Sequence, residues 1–225
     1  MRFRNRALVV IGFAAAMAYL EAAVVVYLQR ALDITPDRLF PLRGPEVVGD
    51  LAAIEVGREF ATLVMLIGIG CLAGRAWLDR LAWTAVAFGV WDVLYYGWLW
   101  VFIGWPHSPT TWDVLFLIPV PWIGPVWAPV AVSVALIGFG LAAAQQVGRG
   151  RVLRPDWSEV VLAVAGGVLV VVSFTADSAR IMAGGLPGWY PWPSFVAGVA
   201  LATLGAARVL RRGTEKTQAG ALTGV

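Results

Sequence analysis

Five carboxylates, Glu21, Glu55, Glu59, Asp92 and Asp177, fall in stretches of sequence that are otherwise apolar, and Arg58 is the only cation placed clearly among them, with Arg180 near an edge. An ionisable side chain in mid-bilayer costs about 2.5–3.5 kcal/mol, so each of these residues needs a compensating role. Glu55, Arg58, Glu59 and Thr62 are spaced i, i+3, i+4, i+7, which puts them on one stripe of a helix, and a stripe this polar must face a bundle interior. Asp92 shares its helical face with the hydroxyl-bearing rings of Tyr95 and Tyr96, and Ser173, Asp177 and Arg180 repeat the spacing farther on. Buried carboxylates without imidazole or thiolate suit hard cations such as Mg²⁺, Mn²⁺ or Ca²⁺, or sodium, or protons.

Composition removes competing chemistries. Cys71 is the only cysteine, so this chain alone cannot form a disulfide, a thiolate zinc site or an iron–sulfur cluster. His107 is the only histidine and Lys216, near the C-terminus, the only lysine, which excludes bis-histidine haem and a Schiff base within the membrane. Of the 225 residues, 60% are hydrophobic and 14% charged, against about 25% charged in a soluble domain. The net charge of +3 comes from arginines that flank apolar runs. That basicity reads as a topology signal and not as a nucleic-acid surface.

Six apolar runs must position the carboxylates: Ala7 to Gln29, Val47 to Ala73, Trp77 to Ile103, Pro125 to Val147, Trp157 to Ser178 and Trp192 to Leu210. About 23 helical residues at about 1.5 Å each cover about 35 Å, enough to cross a bilayer with some tilt. The first run follows a basic segment containing Arg2, Arg4 and Arg6 that resembles a signal-peptide n-region, but the run is too long for a cleaved h-region. With the N-terminus cytoplasmic, twelve Arg and Lys residues fall inside and four outside, Arg58 being within a span. The reading is an all-α, polytopic bundle of six transmembrane helices in the cytoplasmic (inner) membrane, with both termini inside. One domain covers residues 1–212, and residues 213–225 form a disordered cytoplasmic tail.

Counting residues from the outer end of each span places Glu21, Glu55, Glu59 and Asp92 at depths of about 12, 12, 18 and 16 Å. Agreement across three helices points to one shared site in the outer half, with Glu21, Glu55, Glu59 and Asp92 as metal or proton ligands and Arg58 as charge partner. Ala14, Ala18, Ala22, Gly166 and Gly167 allow the close helix approach that would enclose it.

Most tryptophans fall near the outer interface, and the loop after the third span reads Trp105-Pro106-His107-Ser108-Pro109-Thr110-Thr111-Trp112-Asp113. Thr110 and Asp113 resemble a capping box, so a short interfacial or re-entrant helix is expected to start at Thr111, stop at Pro119 and lie over the outer mouth. Tyr95, Tyr96, Trp112 and Asp113 would then line a cofactor or substrate mouth, with His107, Asp177 and Arg180 at its rim.

Three functional readings follow. The first is a cation- or proton-binding site with a transport or ion-coupled role, a hard divalent cation (Mg, Mn, Ca) being the cofactor it would take. The second is a membrane-embedded, metal- or carboxylate-dependent enzyme acting on a lipid-soluble substrate from the outer face, with no catalytic residue assigned. The third is a non-catalytic subunit whose Trp-rich outer surface and Pro-rich loops dock a membrane partner, a second copy or a pigment-like cofactor. The bilayer itself is the one partner common to all three, and nucleic acid is excluded.

Overall fold

Each apolar run closes its backbone hydrogen bonds internally as a helix, the only way a single open segment can cross hydrocarbon. The computed structural model describes residues 3–35, 40 and 51–215. In chain order these form α1 (Phe3–Ala31), α2 (Leu51–Ala73), α3 (Trp77–Ile103), β1 (Trp112–Phe116), β2 (Trp122–Pro125), α4 (Trp127–Gly148), β3 (Arg151–Val152), α5 (Trp157–Thr175), α6 (Ser178–Met182), α7 (Trp192–Arg212) and β4 (Thr214–Glu215). Among the described residues six helices are long and apolar enough to span a membrane, α5 continuing through α6 to Met182 in one of them. The chain is a multi-pass membrane protein. Residues 47–50 at the start of the expected second span, and residues 216–225 of the tail expected over 213–225, lie outside the described residues; Thr214–Glu215 of that tail form β4.

Local sequence sets the helix ends. Gly104 adopts φ 68°, the left-handed conformation that glycine tolerates, and its N–H returns to the Trp100 carbonyl to close α3. At the start of α5 a reciprocal capping box forms: Asp156 Oδ1 accepts the Glu159 N–H at 3.1 Å, and Glu159 Oε2 accepts the Asp156 N–H at 2.9 Å.

α3 is the hub and packs against α1, α2 and α4, while α5 pairs with α7. Small residues set these distances. A Cβ on Gly89 would stand 2.5 Å from the Ser133 carbonyl, and one on Gly166 would stand 2.6 Å from the Gly198 carbonyl, so the α3–α4 and α5–α7 crossings both require glycine. The main core holds Val10, Leu66, Trp83, Val86 and Trp91. Large apolar side chains such as Leu20, Phe60 and Leu72 cover the outside, as a hydrocarbon solvent demands.

The loop after α3 departs from expectation. In place of a short helix, β1 and β2 form an antiparallel hairpin, with Trp112 opposite Pro125, Asp113 opposite Gly124, Val114 opposite Ile123 and Phe116 opposite Trp122, and an irregularity between Val114 and Phe116. Two physical causes outweigh the capping box. Thr111 and Ser108 are already tied in a turn, with the Thr111 N–H on the Ser108 carbonyl at 3.0 Å and the Ser108 N–H on Thr111 Oγ1 at 3.2 Å. Trp112, Val114 and Phe116 also alternate as bulky and β-branched strand formers, and the prolines that were to stop a helix stand in the hairpin's connection. The hairpin packs between helix groups: Phe116 lies 6.2 Å from Trp91 on α3, and Trp122 lies 6.1 Å from Phe174 on α5 (ring centroids).

The opposite end is fastened by charge. Arg6 on α1 donates to Asp79 on α3 and to the Ala73 carbonyl ending α2, each at 3.1 Å, and the Arg75 N–H donates to Asp79 at 2.9 Å. Asp79 is fully buried, so this clamp joins three helices where the sequence suggested only inner-side positive charge.

Candidate functional site

The polar stripe of α2 faces inward, as its spacing requires. Arg58 is held between Glu55, one turn before it, at 2.8 Å, and Glu21 of α1, with which it forms an ion pair. Thr62, one turn farther along, donates its hydroxyl to Glu21 Oε2 at 3.1 Å. A guanidinium presents its donors in a rigid fork, so it can serve two carboxylates on two helices at once.

Glu59 turns to a different partner. Both of its oxygens accept the Leu117 N–H of the segment just after β1, at 2.8 and 3.1 Å. The hairpin is therefore seated on a carboxylate of the helix stripe. Asp92 accepts the hydroxyl of Ser133 on α4 at 2.8 Å, directly beside the close approach at Gly89. Asp113 accepts the Tyr96 hydroxyl at 3.0 Å and its neighbour Val114's N–H at 2.8 Å.

These groups form one electrostatic neighbourhood. Tyr95 stands within reach of Asp113, Arg58, Asp92 and Glu55, and Asp92 and Asp113 feel each other's charge. Glu21, Glu59, Asp92 and Asp113 are all buried, with at most 9% of their surface exposed, while Glu55 and Arg58 are half-buried. Burial pushes the Asp113 carboxyl up to about 7 and Asp92 adds to the rise, against the Tyr96 hydroxyl and Val114 amide that pull it down.

Glu21, Glu55, Arg58, Glu59, Asp92, Tyr95 and Tyr96 thus come together, and Asp113 joins them as a member of the cluster and not as a helix cap. The other rim residues lie apart. Trp112 packs edge-on against Tyr190 at 6.1 Å, towards α5 and α7. Asp177 accepts the Gly188 N–H at 2.6 Å and faces Arg180 at 3.6 Å, a local clasp of the α6 turn. His107 is exposed in the turn before the hairpin. Sequence reasoning missed Ser133 and the Leu117 amide as partners. Ser133 carried a signal, being the one hydroxyl in the apolar run of α4, whereas a backbone amide carries none.

Among the described residues no three His, Cys, Asp or Glu side chains are gathered as a metal ion would need. Glu21 and Glu55 instead share Arg58, and Glu59, Asp92 and Asp113 each have a separate donor. No protein-family model, curated protein or solved structure matches this chain.

Proposed function

We propose that the carboxylate cluster is a proton-binding site and that the protein has a transport or ion-coupled role in the cytoplasmic membrane, its hairpin end outside and both termini inside. The observation that carries the reading is the mismatch of charge: five carboxylates, Glu21, Glu55, Glu59, Asp92 and Asp113, stand in one neighbourhood with one guanidinium, Arg58, which pairs with Glu21 and Glu55, while the other three have only neutral donors. Such an excess is untenable in a desolvated site unless cations or protons supply the difference. Protons are favoured over a divalent metal because the acids do not converge on a shared point: Glu21 and Glu55 go to Arg58, Glu59 to Leu117, Asp92 to Ser133 and Asp113 to Tyr96.

The orientation rests on the bias of twelve basic residues to four. The test is proton flux: protein reconstituted in liposomes enclosing a pH-sensitive dye, with Glu55→Gln and Asp92→Asn as controls. Carboxylate-dependent flux supports coupling. Absence of flux, together with stoichiometric metal in the purified protein, refutes it.

The enzyme reading keeps one observation in its favour. The hairpin covers the cluster on one side and the ring layer of Phe88, Trp91 and Phe116 lies beside it, an enclosed arrangement better suited to a one-sided active site than to a conduit. Turnover of a lipid-soluble substrate by protein that moves no protons would favour it.

A further inference from the structure

At the end of the bundle opposite the hairpin, three segments distant in sequence are drawn together. The loop after α4 supplies β3, which pairs with β4 beyond α7, Arg151 opposite Glu215 and Val152 opposite Thr214. Gly213, between α7 and β4, fits so closely that a Cβ there would stand 2.7 Å from Gln146 Oε1 and 2.8 Å from Leu153 Cδ2. The first turn of α1 adjoins them, Phe3 Cβ lying 3.9 Å from where a Cβ on Gly148 would be. The result is a concentration of exposed arginines: Arg149, Arg151 and Arg154 from the loop, Arg208 and Arg211 from α7, and Arg4 at the margin.

The acids facing this group are accounted for. Asp156 and Glu159 both pair with Arg212. Among the described residues, Arg149, Arg154, Arg208 and Arg211 have no acid paired with them on these elements. They sit at the ends of membrane-spanning helices, and Trp157, 79% exposed, lies alongside as a ring suited to the headgroup layer.

We propose that this arginine cluster is a binding surface for anionic phospholipid headgroups, whose phosphates are held by Arg149, Arg154, Arg208 and Arg211. Guanidinium forks match phosphate oxygens in bidentate geometry. The β3–β4 clasp pre-arranges cations from both ends of the α4–α7 segment, so the ordering cost is met by the fold and not by the lipid. A headgroup is favoured over a soluble anion because the arginines lie where lipid phosphates are most concentrated.

The experiment uses full-length protein in phosphatidylcholine vesicles doped with spin-labelled phosphatidylglycerol or phosphatidylcholine of the same acyl chains, and reads the motionally restricted fraction by electron spin resonance. The wild type is expected to prefer phosphatidylglycerol by about fivefold or more at low salt. Arg149→Gln/Arg154→Gln/Arg208→Gln/Arg211→Gln brings the ratio towards one, while Arg180→Gln, at the hairpin end, leaves it unchanged. Should the fourfold variant fail to fold, Arg154→Gln and Arg208→Gln singly are expected to lower the ratio in smaller steps. A wild-type ratio near one, or a ratio unmoved by these substitutions, overturns the proposal. So does loss of the preference in inorganic phosphate but not in chloride of equal ionic strength, which would assign the surface to the free ion.

Discussion

Replacing Asp113 with asparagine isolates the ionisation of a single carboxyl under the hairpin. In the unfolded chain this group titrates near 3.8, whereas in the folded protein burial holds its proton up to about 7. The folded state therefore binds the proton more tightly. Its contribution is undiminished below about pH 4 and is lost as pH rises towards 7, because ionising the folded form means charging a group only 6% exposed. Three pH units at about 1.4 kcal/mol each amount to roughly 4 kcal/mol. Asparagine keeps a carbonyl for the Val114 N–H and cannot ionise, so Asp113→Asn should flatten stability across this window and exceed the wild type above pH 7. Hydrogen exchange of the β1 and β2 amides from pH 4 to 8, corrected for intrinsic rates, reads the local opening equilibrium. If wild type and variant show the same pH dependence, Asp113 does not titrate in this range and the reasoning fails.

Arg58→Leu leaves Glu21 and Glu55 without their shared guanidinium and should cost about 3–5 kcal/mol in detergent unfolding, with the loss shrinking at acid pH where the orphaned carboxyls take up protons. A variant as stable as wild type at every pH would show that the pairing contributes nothing. Ser133→Ala removes the hydroxyl from Asp92 and should destabilise by about 1–3 kcal/mol, more than at an unpartnered buried serine. Asp156 is held down at about 2 by Ser158, the Glu159 amide and Arg212. Its depressed value makes a stabilising contribution that is present above about pH 4 and lost as pH falls towards 2, so Asp156→Ala should abolish the acid-side fall of α5 amide protection; persistence of that fall would place its origin elsewhere.

Much of this was legible in the sequence because the membrane enforces simple rules. Continuous apolar runs gave the six helices, and the helical period placed Glu55, Arg58, Glu59 and Thr62 on one inward stripe. Glu21 could be matched to them by depth alone, since rise per residue is fixed in a helix. The hairpin was missed, although the alternation of Trp112, Val114 and Phe116 carried a strand signal. A capping pair such as Thr110 and Asp113 is a local signal, and here the local turn at Ser108 and the docking of Asp113 on Tyr96 outweigh it. Partners supplied by backbone amides or by distant helices, such as Leu117 for Glu59 and Asp79 for Arg6, depend on tertiary packing and leave no trace in spacing.

The central claim is that protons supply the charge that Arg58 cannot. Infrared spectroscopy of the purified protein at neutral pH, with Glu55→Gln, Asp92→Asn and Asp113→Asn as assignments, counts neutral buried carboxyls directly through their carbonyl stretch. The account predicts such bands in the wild type, a band lost with Asp113→Asn, and no change on treatment with a divalent-metal chelator. A spectrum of ionised carboxylates alone, coupled with stoichiometric metal in the same sample, would contradict it.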